Sequence, residues 1–144
     1  MKSGHFLSGS QEETEDFGRR LGESLTLPSV VFLQGSLGAG KTAMTRGIVK
    51  GLGCRDSAAV HSPTFSLINE YSSPAGRVYH VDLYRLDTLQ DLYSIGLDEL
   101  LIEEAFIIIE WAEKLLISVE PTWRIIINVT GQDGREIRVQ GRDS

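Results

Sequence analysis

The sequence predicts a three-layer α/β domain, its mixed, mostly parallel β-sheet ending in a C-terminal β-hairpin. Three observations predict it. Val30-Val31-Phe32-Leu33 and Ala105-Phe106-Ile107-Ile108-Ile109 are unbroken apolar runs, the pattern of parallel strands buried on both faces. Segments of helical period lie between the runs. The first run leads straight into Gly35-Ser36-Leu37-Gly38-Ala39-Gly40-Lys41-Thr42, a strand–loop–helix junction of the form G-x-x-x-x-G-K-[ST].

The elements follow in order. Ser10-Gln11-Glu12-Glu13 has capping-box spacing, and Phe17, Leu21 and Leu25 recur at i, i+4 and i+8, so a helix is expected over 11–25. Gly18 and Gly22 either weaken that helix or let it pack closely. Pro28 ends the connection, strand 30–34 follows, and the helix after the glycine-rich loop carries Met44, Ile48 and Leu52 on one face before Gly51 and Gly53. Residues 54–63 have no period and read as loop. Strands are expected at 66–71 and 77–83, hinged by Ser73-Pro74-Ala75-Gly76. Residues 86–104 read as mostly helical, anchored by Leu89, Leu92, Leu97, Leu100 and Leu101 and broken at Gly96. After strand 105–109 comes a short helical stretch at 112–117, then strands 123–129 and 136–139 around Gly131-Gln132-Asp133-Gly134.

The octapeptide makes the expected fold P-loop NTPase-like for an electrostatic reason. A sharp turn points successive backbone N–H groups at a phosphate, and the helix N-terminus adds its positive dipole end. Gly35, Gly38 and Gly40 permit the backbone angles and the close approach. Lys41 places a point charge on the β/γ-phosphates, and the Thr42 hydroxyl can join a magnesium shell.

At 144 residues the chain fits one domain, 1–144, with little room for a separate lid. A net charge of −6 argues against broad, charge-driven nucleic-acid binding. Cys54 is the only cysteine, so neither an intrachain disulfide nor a cysteine metal cluster is available. No segment is long and apolar enough to span a membrane, and a cytoplasmic location is expected.

Hydrolysis needs carboxylates that manage Mg²⁺ and orient the attacking oxygen. In open α/β sheets these lie at the carboxyl ends of strands. Glu110 ends the apolar run at 106–109 and is the leading candidate. Asp82 is the second, in an alternating strand that puts Val78, His80 and Asp82 on one face. His80 with Asp82 raises a His/Asp metal centre, but no third nearby ligand supports it. Ser62-Pro63-Thr64 ends the irregular loop, where a threonine can reach a γ-phosphate as a switch residue; it is also ordinary turn sequence. Trp111 covers the site, touches a partner or packs in the core. The Asn-Lys-x-Asp tetrad that reads guanine does not occur, which favours ATP.

Together, the loop at 35–42, His-Ser-Pro-Thr-Phe-Ser-Leu at 61–67, Tyr-His-Val-Asp-Leu-Tyr-Arg-Leu at 79–86, Ile-Glu-Trp at 109–111 and Gly134-Arg135 resemble the bacterial TsaE (YjeE) family. These are small P-loop ATPases of tRNA threonylcarbamoyladenosine (t6A) biosynthesis. The resemblance implies that ATP, or ADP after turnover, sits on Leu37, Gly38, Ala39, Gly40, Lys41 and Thr42. It implies that Thr42 and Glu110 hold Mg²⁺, that Asp82 acts at the nucleotide and that Thr64 belongs to a switch loop. Lys41, Thr64, Asp82 and Glu110 are then the catalytic set. Arg135, matched through its Gly-Arg neighbour, contacts nucleotide or a partner.

The implied partners are a TsaD-type threonylcarbamoyl transferase and its TsaB-type companion. There slow ATP hydrolysis, stimulated by the partners, resets the complex between cycles, and tRNA is contacted indirectly. The family loop usually reads Gly-Asp-Leu-Gly-Ala-Gly-Lys-Thr, whereas this chain has Ser36; the missing carboxylate bears on hydrolysis rate more than on nucleotide binding. Two other readings stay open: a small kinase of a metabolite, and a nucleotide-sensing binding module with little catalysis.

Overall fold

The computed structural model describes residues 1–55, 57, 60–61 and 67–142. Strand β1 (Gly4–Ser8) leads into α1 (Gln11–Ser24), then β2 (Ser29–Gln34) and α2 (Lys41–Gly51). The hairpin of β3 (Ile68–Ser73) and β4 (Gly76–Asp82) precedes two short helices, α3 (Leu89–Ser94) and α4 (Leu97–Leu100). Strand β5 (Phe106–Glu110), a 3-10 turn at Ala112–Lys114, and the hairpin of β6 (Trp123–Val129) and β7 (Arg135–Gly141) complete the order.

The seven strands form one sheet, β1-β7-β6-β2-β5-β4-β3. Its centre is parallel: β2 lies between β6 and β5, and β5 also pairs with β4. Antiparallel pairings finish both edges, β7 with β6 and β1 on one side and β3 with β4 on the other. The mixed sheet with a parallel centre is the expected one, and the C-terminal hairpin is present.

Helices α1 and α2 cover one face, where Phe17, Leu21, Met44 and Ile48 pack on Val31, Leu33, Phe106, Ile108 and Ile125. The segments of α3, α4 and the 3-10 turn cover the other, packing Leu92, Leu97 and Ala112 on Phe32, Val81, Ile107 and Ile109. Between α1 and α2 the glycines allow an approach no side chain would: a Cβ on Gly18 would sit 2.4 Å from the Met44 carbonyl oxygen, and one on Gly47 would sit 2.0 Å from that of Glu15. Gly18 and Gly22 therefore serve close packing.

Three local expectations change. Strand β1 stands where no element was expected; it gains its ladder only from β7, with Phe6 opposite Ile137. The helical stretch expected at 86–104 is shorter than read, α3 and α4 covering only 89–94 and 97–100, while the break falls at Gly96 as expected, its φ of 78° capping α4. The capping box of α1 is shifted: the Ser10 hydroxyl accepts from the Glu13 N–H at 3.1 Å, but the Glu13 carboxylate accepts from Gly9 rather than from Ser10.

Candidate functional site

Strands β2, β4 and β5 run in the same direction and end together, and the chain leaves β2 through the glycine-rich loop. The Ala39 N–H closes that loop on the Ser36 carbonyl at 3.0 Å. Gly38 and Gly40 have φ of 79° and 111°, in the left-handed region that other residues avoid. Gly40 caps α2, and α2 begins at Lys41, so the N-terminus of the helix opens toward the loop.

Lys41 is 5% exposed, and its ammonium donates to the Gly35 and Ser36 carbonyls at 2.6 and 2.8 Å. It also lies 4.0 Å from the centre of the Trp111 ring. Desolvation holds its pKa below the usual lysine value, although Glu110, Glu113 and Asp82 pull the other way. Trp111 follows Glu110 directly, adopts a left-handed backbone at φ 59° and packs tilted against Tyr84, with ring centres 4.9 Å apart. It is half-buried over the site, with its indole on Lys41.

Thr42, the second residue of α2, donates its hydroxyl to Glu110 Oε1 at 3.4 Å. Glu110 is buried and its Oε2 is hydrogen-bonded to His80 Nε2, which is wholly buried. Asp82 stands opposite Glu110 in the β4–β5 register. Its Oδ1 accepts the Tyr84 N–H at 2.9 Å. Burial pushes the Asp82 carboxyl above the ordinary aspartate range, with Glu110 adding to the rise and the Tyr84 N–H and Lys41 opposing it.

Arg135 opens β7 and reaches back to the loop, donating from Nε to the Ala39 carbonyl at 2.8 Å and from a terminal nitrogen to that of Gly38 at 3.4 Å. Lys41, Thr42, Asp82, Glu110, Trp111 and Arg135 line a cleft of about 510 Å³. Leu37 projects from the loop tip, 73% exposed, while Ala39 beneath it is buried. The structure thus brings together Leu37, Gly38, Ala39, Gly40, Lys41, Thr42, Asp82, Glu110 and Arg135. Thr64 lies outside the described residues.

The sequence reading missed part of the wall. Ser10, Gln11 and Thr14, from the start of α1, line the cleft with Arg46 and Arg85. The capping sequence announced that helix start, but nothing local says that it meets the loop; a Cβ on Gly40 would lie 3.7 Å from Thr14 Cγ2. His80 is engaged with Glu110, and among the described residues no three His, Cys, Asp or Glu side chains gather around a metal position. The hard oxygens of Thr42 and Glu110 do suit Mg²⁺, which takes one or two protein oxygens and completes its shell with water and phosphate.

Comparison with known proteins agrees with the geometry. The family described as "Threonylcarbamoyl adenosine biosynthesis protein TsaE" matches residues 8–137. A tRNA threonylcarbamoyladenosine biosynthesis protein TsaE from Treponema pallidum is 38% identical over 136 residues, covering 92% of this chain and 97% of the relative. One of the same name from Rickettsia bellii is 36% identical over 129 residues, covering 90% and 88%. The crystal structure of YdiB from Bacillus subtilis superposes with a TM-score of 0.76 at 30% identity, covering 97% of this chain and 86% of that one.

Proposed function

Because this chain belongs to the TsaE family, we propose that it binds and hydrolyses ATP as a subunit of the machinery that makes threonylcarbamoyladenosine in tRNA. On this reading residues 1–144 are one cytoplasmic nucleotide-binding domain. ATP turnover resets a TsaD-type transferase and its TsaB-type companion between modification cycles, and the tRNA is held mainly by those partners. The observation that carries the proposal is the meeting of Thr42 and Glu110, 3.4 Å apart, beside Lys41 at the mouth of the loop.

The loop amides and the N-terminus of α2 cradle the phosphates, while Lys41 exchanges the Gly35 and Ser36 carbonyls for phosphate oxygens. Thr42 and Glu110 would hold Mg²⁺, which would supply neutralisation of phosphate charge. Asp82, fixed through Oδ1 by the Tyr84 amide, uses Oδ2 to orient the attacking water. Ser36 leaves this loop without the acidic neighbour the family usually has, so the positioning of water rests on Asp82. Thr64 serves as the switch residue, and Arg135 holds the loop that receives the nucleotide.

The test is phosphate release from Mg·ATP by the purified chain, alone and with the transferase pair and tRNA lacking t6A. Slow turnover alone, accelerated by the pair, is expected; no response to the pair overturns the resetting role. Glu110→Gln is expected to lower turnover at least about 100-fold while keeping ADP binding without Mg²⁺. Unchanged turnover in that variant overturns the carboxylate assignment. Transfer of the γ-phosphate to a metabolite instead of water identifies a kinase, and tight binding without turnover identifies a sensing module.

A further inference from the structure

Glu110 sits 2% exposed at the end of β5, and a carboxylate so buried needs both oxygens engaged. Its Oε1 faces the Thr42 hydroxyl and its Oε2 meets His80 Nε2. The partner comes from the neighbouring strand: His80 is opposite Ile108, two residues before Glu110 on the same face, so its ring reaches Glu110 along the diagonal. His80 is entirely buried, and its Nδ1 has no hydrogen-bond partner. A leucine or phenylalanine would fill that layer between the sheet and α2 without leaving a ring nitrogen unpaired. The choice of histidine is explained by what its other nitrogen holds.

We propose that His80 is a positioning residue for the nucleotide site: its Nε2–H fixes Oε2 of Glu110, so that Oε1 alone turns toward Thr42 and the shared cation. The proposal rests on the reading of Glu110 as the cation-binding carboxylate. With the ring hydrogen on Nε2 the orphaned Nδ1 carries a lone pair, whereas a hydrogen on Nδ1 would be buried without an acceptor and would leave two lone-pair acceptors facing each other at Nε2 and Oε2. Losing a partner that orients a metal ligand typically weakens metal affinity or activity about 10–100-fold.

The decisive pair of variants is His80→Phe, which keeps the ring and removes the donor, and His80→Gln, whose amide nitrogen reaches about as far as Nε2. ADP affinity is measured with and without Mg²⁺, alongside ATP turnover and thermal unfolding. His80→Phe is expected to lose most of the Mg²⁺-dependent gain in ADP affinity and to lower kcat about 10–100-fold, with Mg²⁺-free affinity within about twofold of wild type. His80→Gln is expected to recover most of both. Equal Mg²⁺ dependence in His80→Phe and wild type overturns the proposal, as does failure of His80→Gln to recover anything while folding normally. Proportional loss of Mg²⁺-free and Mg²⁺-bound affinity with lost stability makes the role structural and also overturns it. ¹⁵N NMR of the wild-type imidazole gives a reading that needs no variant: a hydrogen on Nε2 supports the proposal, and an Nε2 that carries none overturns it. If wild type itself shows no Mg²⁺ effect, or Glu110→Gln keeps that effect, the reading of Glu110 has failed, a result distinct from a failure confined to His80.

Discussion

Replacing Gly47 by alanine adds one methyl group at the tightest point between α1 and α2. Its Cβ would stand 2.0 Å from the Glu15 carbonyl oxygen, where ordinary contact begins at 3.4 Å, so the helices must part by roughly 1.4 Å or tilt. Neither atom in this clash belongs to a flexible side chain: the second-nearest, Arg19 N at 2.9 Å, is also backbone. Overpacking of this kind costs about 1–3 kcal/mol, and a wholly backbone clash belongs at the upper end. Alanine returns about 1 kcal/mol of helix propensity, leaving a net loss of ~2 kcal/mol. For a chain of this size that lowers Tm by about 6–8 °C. Thermal unfolding followed by circular dichroism is the assay, with Gly131→Ala as control because no atom lies within 4 Å of its added Cβ. The control should stay within about 0.5 kcal/mol of wild type. A Gly47→Ala protein as stable as wild type would refute the claim that backbone contact between α1 and α2 sets their spacing.

Three further outcomes follow from the site. Lys41→Ala is expected to weaken ADP binding at least about 100-fold, close to 2.7 kcal/mol, in equilibrium titration, because the loop's one ammonium is removed. Arg135→Ala should weaken ADP binding about 5–10-fold with little change in fold, since it releases the Ala39 and Gly38 carbonyls; unchanged affinity would remove Arg135 from the list of loop supports. Asp82 gives a pH dependence: its folded pKa lies above the ordinary 3.8, so the folded chain binds the proton more readily and stability falls as pH rises through that interval. Asp82→Asn, which keeps an acceptor for the Tyr84 N–H, is therefore expected to raise Tm at neutral pH and flatten the acid-side rise, while slowing ATP turnover; a lower Tm at neutral pH would contradict the burial argument.

The readable parts of the fold were those with strong local period. Phe106 to Glu110 is buried at every position, and the run of apolar residues announced it. Strand β1 was not legible, because Gly4–Ser8 alternates only weakly and acquires its role from β7, far along the chain. The same divide runs through the site. Lys41, Thr42 and Glu110 could be picked out from a loop motif and a strand end. That His80 belongs to Glu110 depends on the parallel register of β4 against β5, and that Thr14 approaches Gly40 depends on the glycine-lined crossing of α1 and α2. Residue types reveal chemistry; which of them share a wall is decided by strand order.

The indole over Lys41 has a consequence for affinity. The two carbonyls and the Trp111 ring together form an internal rival for the ammonium, and an incoming phosphate must outcompete all three. Hydrogen bonds to a charged group contribute about 1.5–3 kcal/mol each and a cation on an indole about 0.5–2 kcal/mol. On the proposed reading, nucleotide affinity is a difference between two occupancies of one lysine, and a change at Trp111 moves it without touching the nucleotide. One of those occupancies places a charge against an indole, so the exchange is written into tryptophan emission, with Trp123 on β6 as the second fluorophore to subtract.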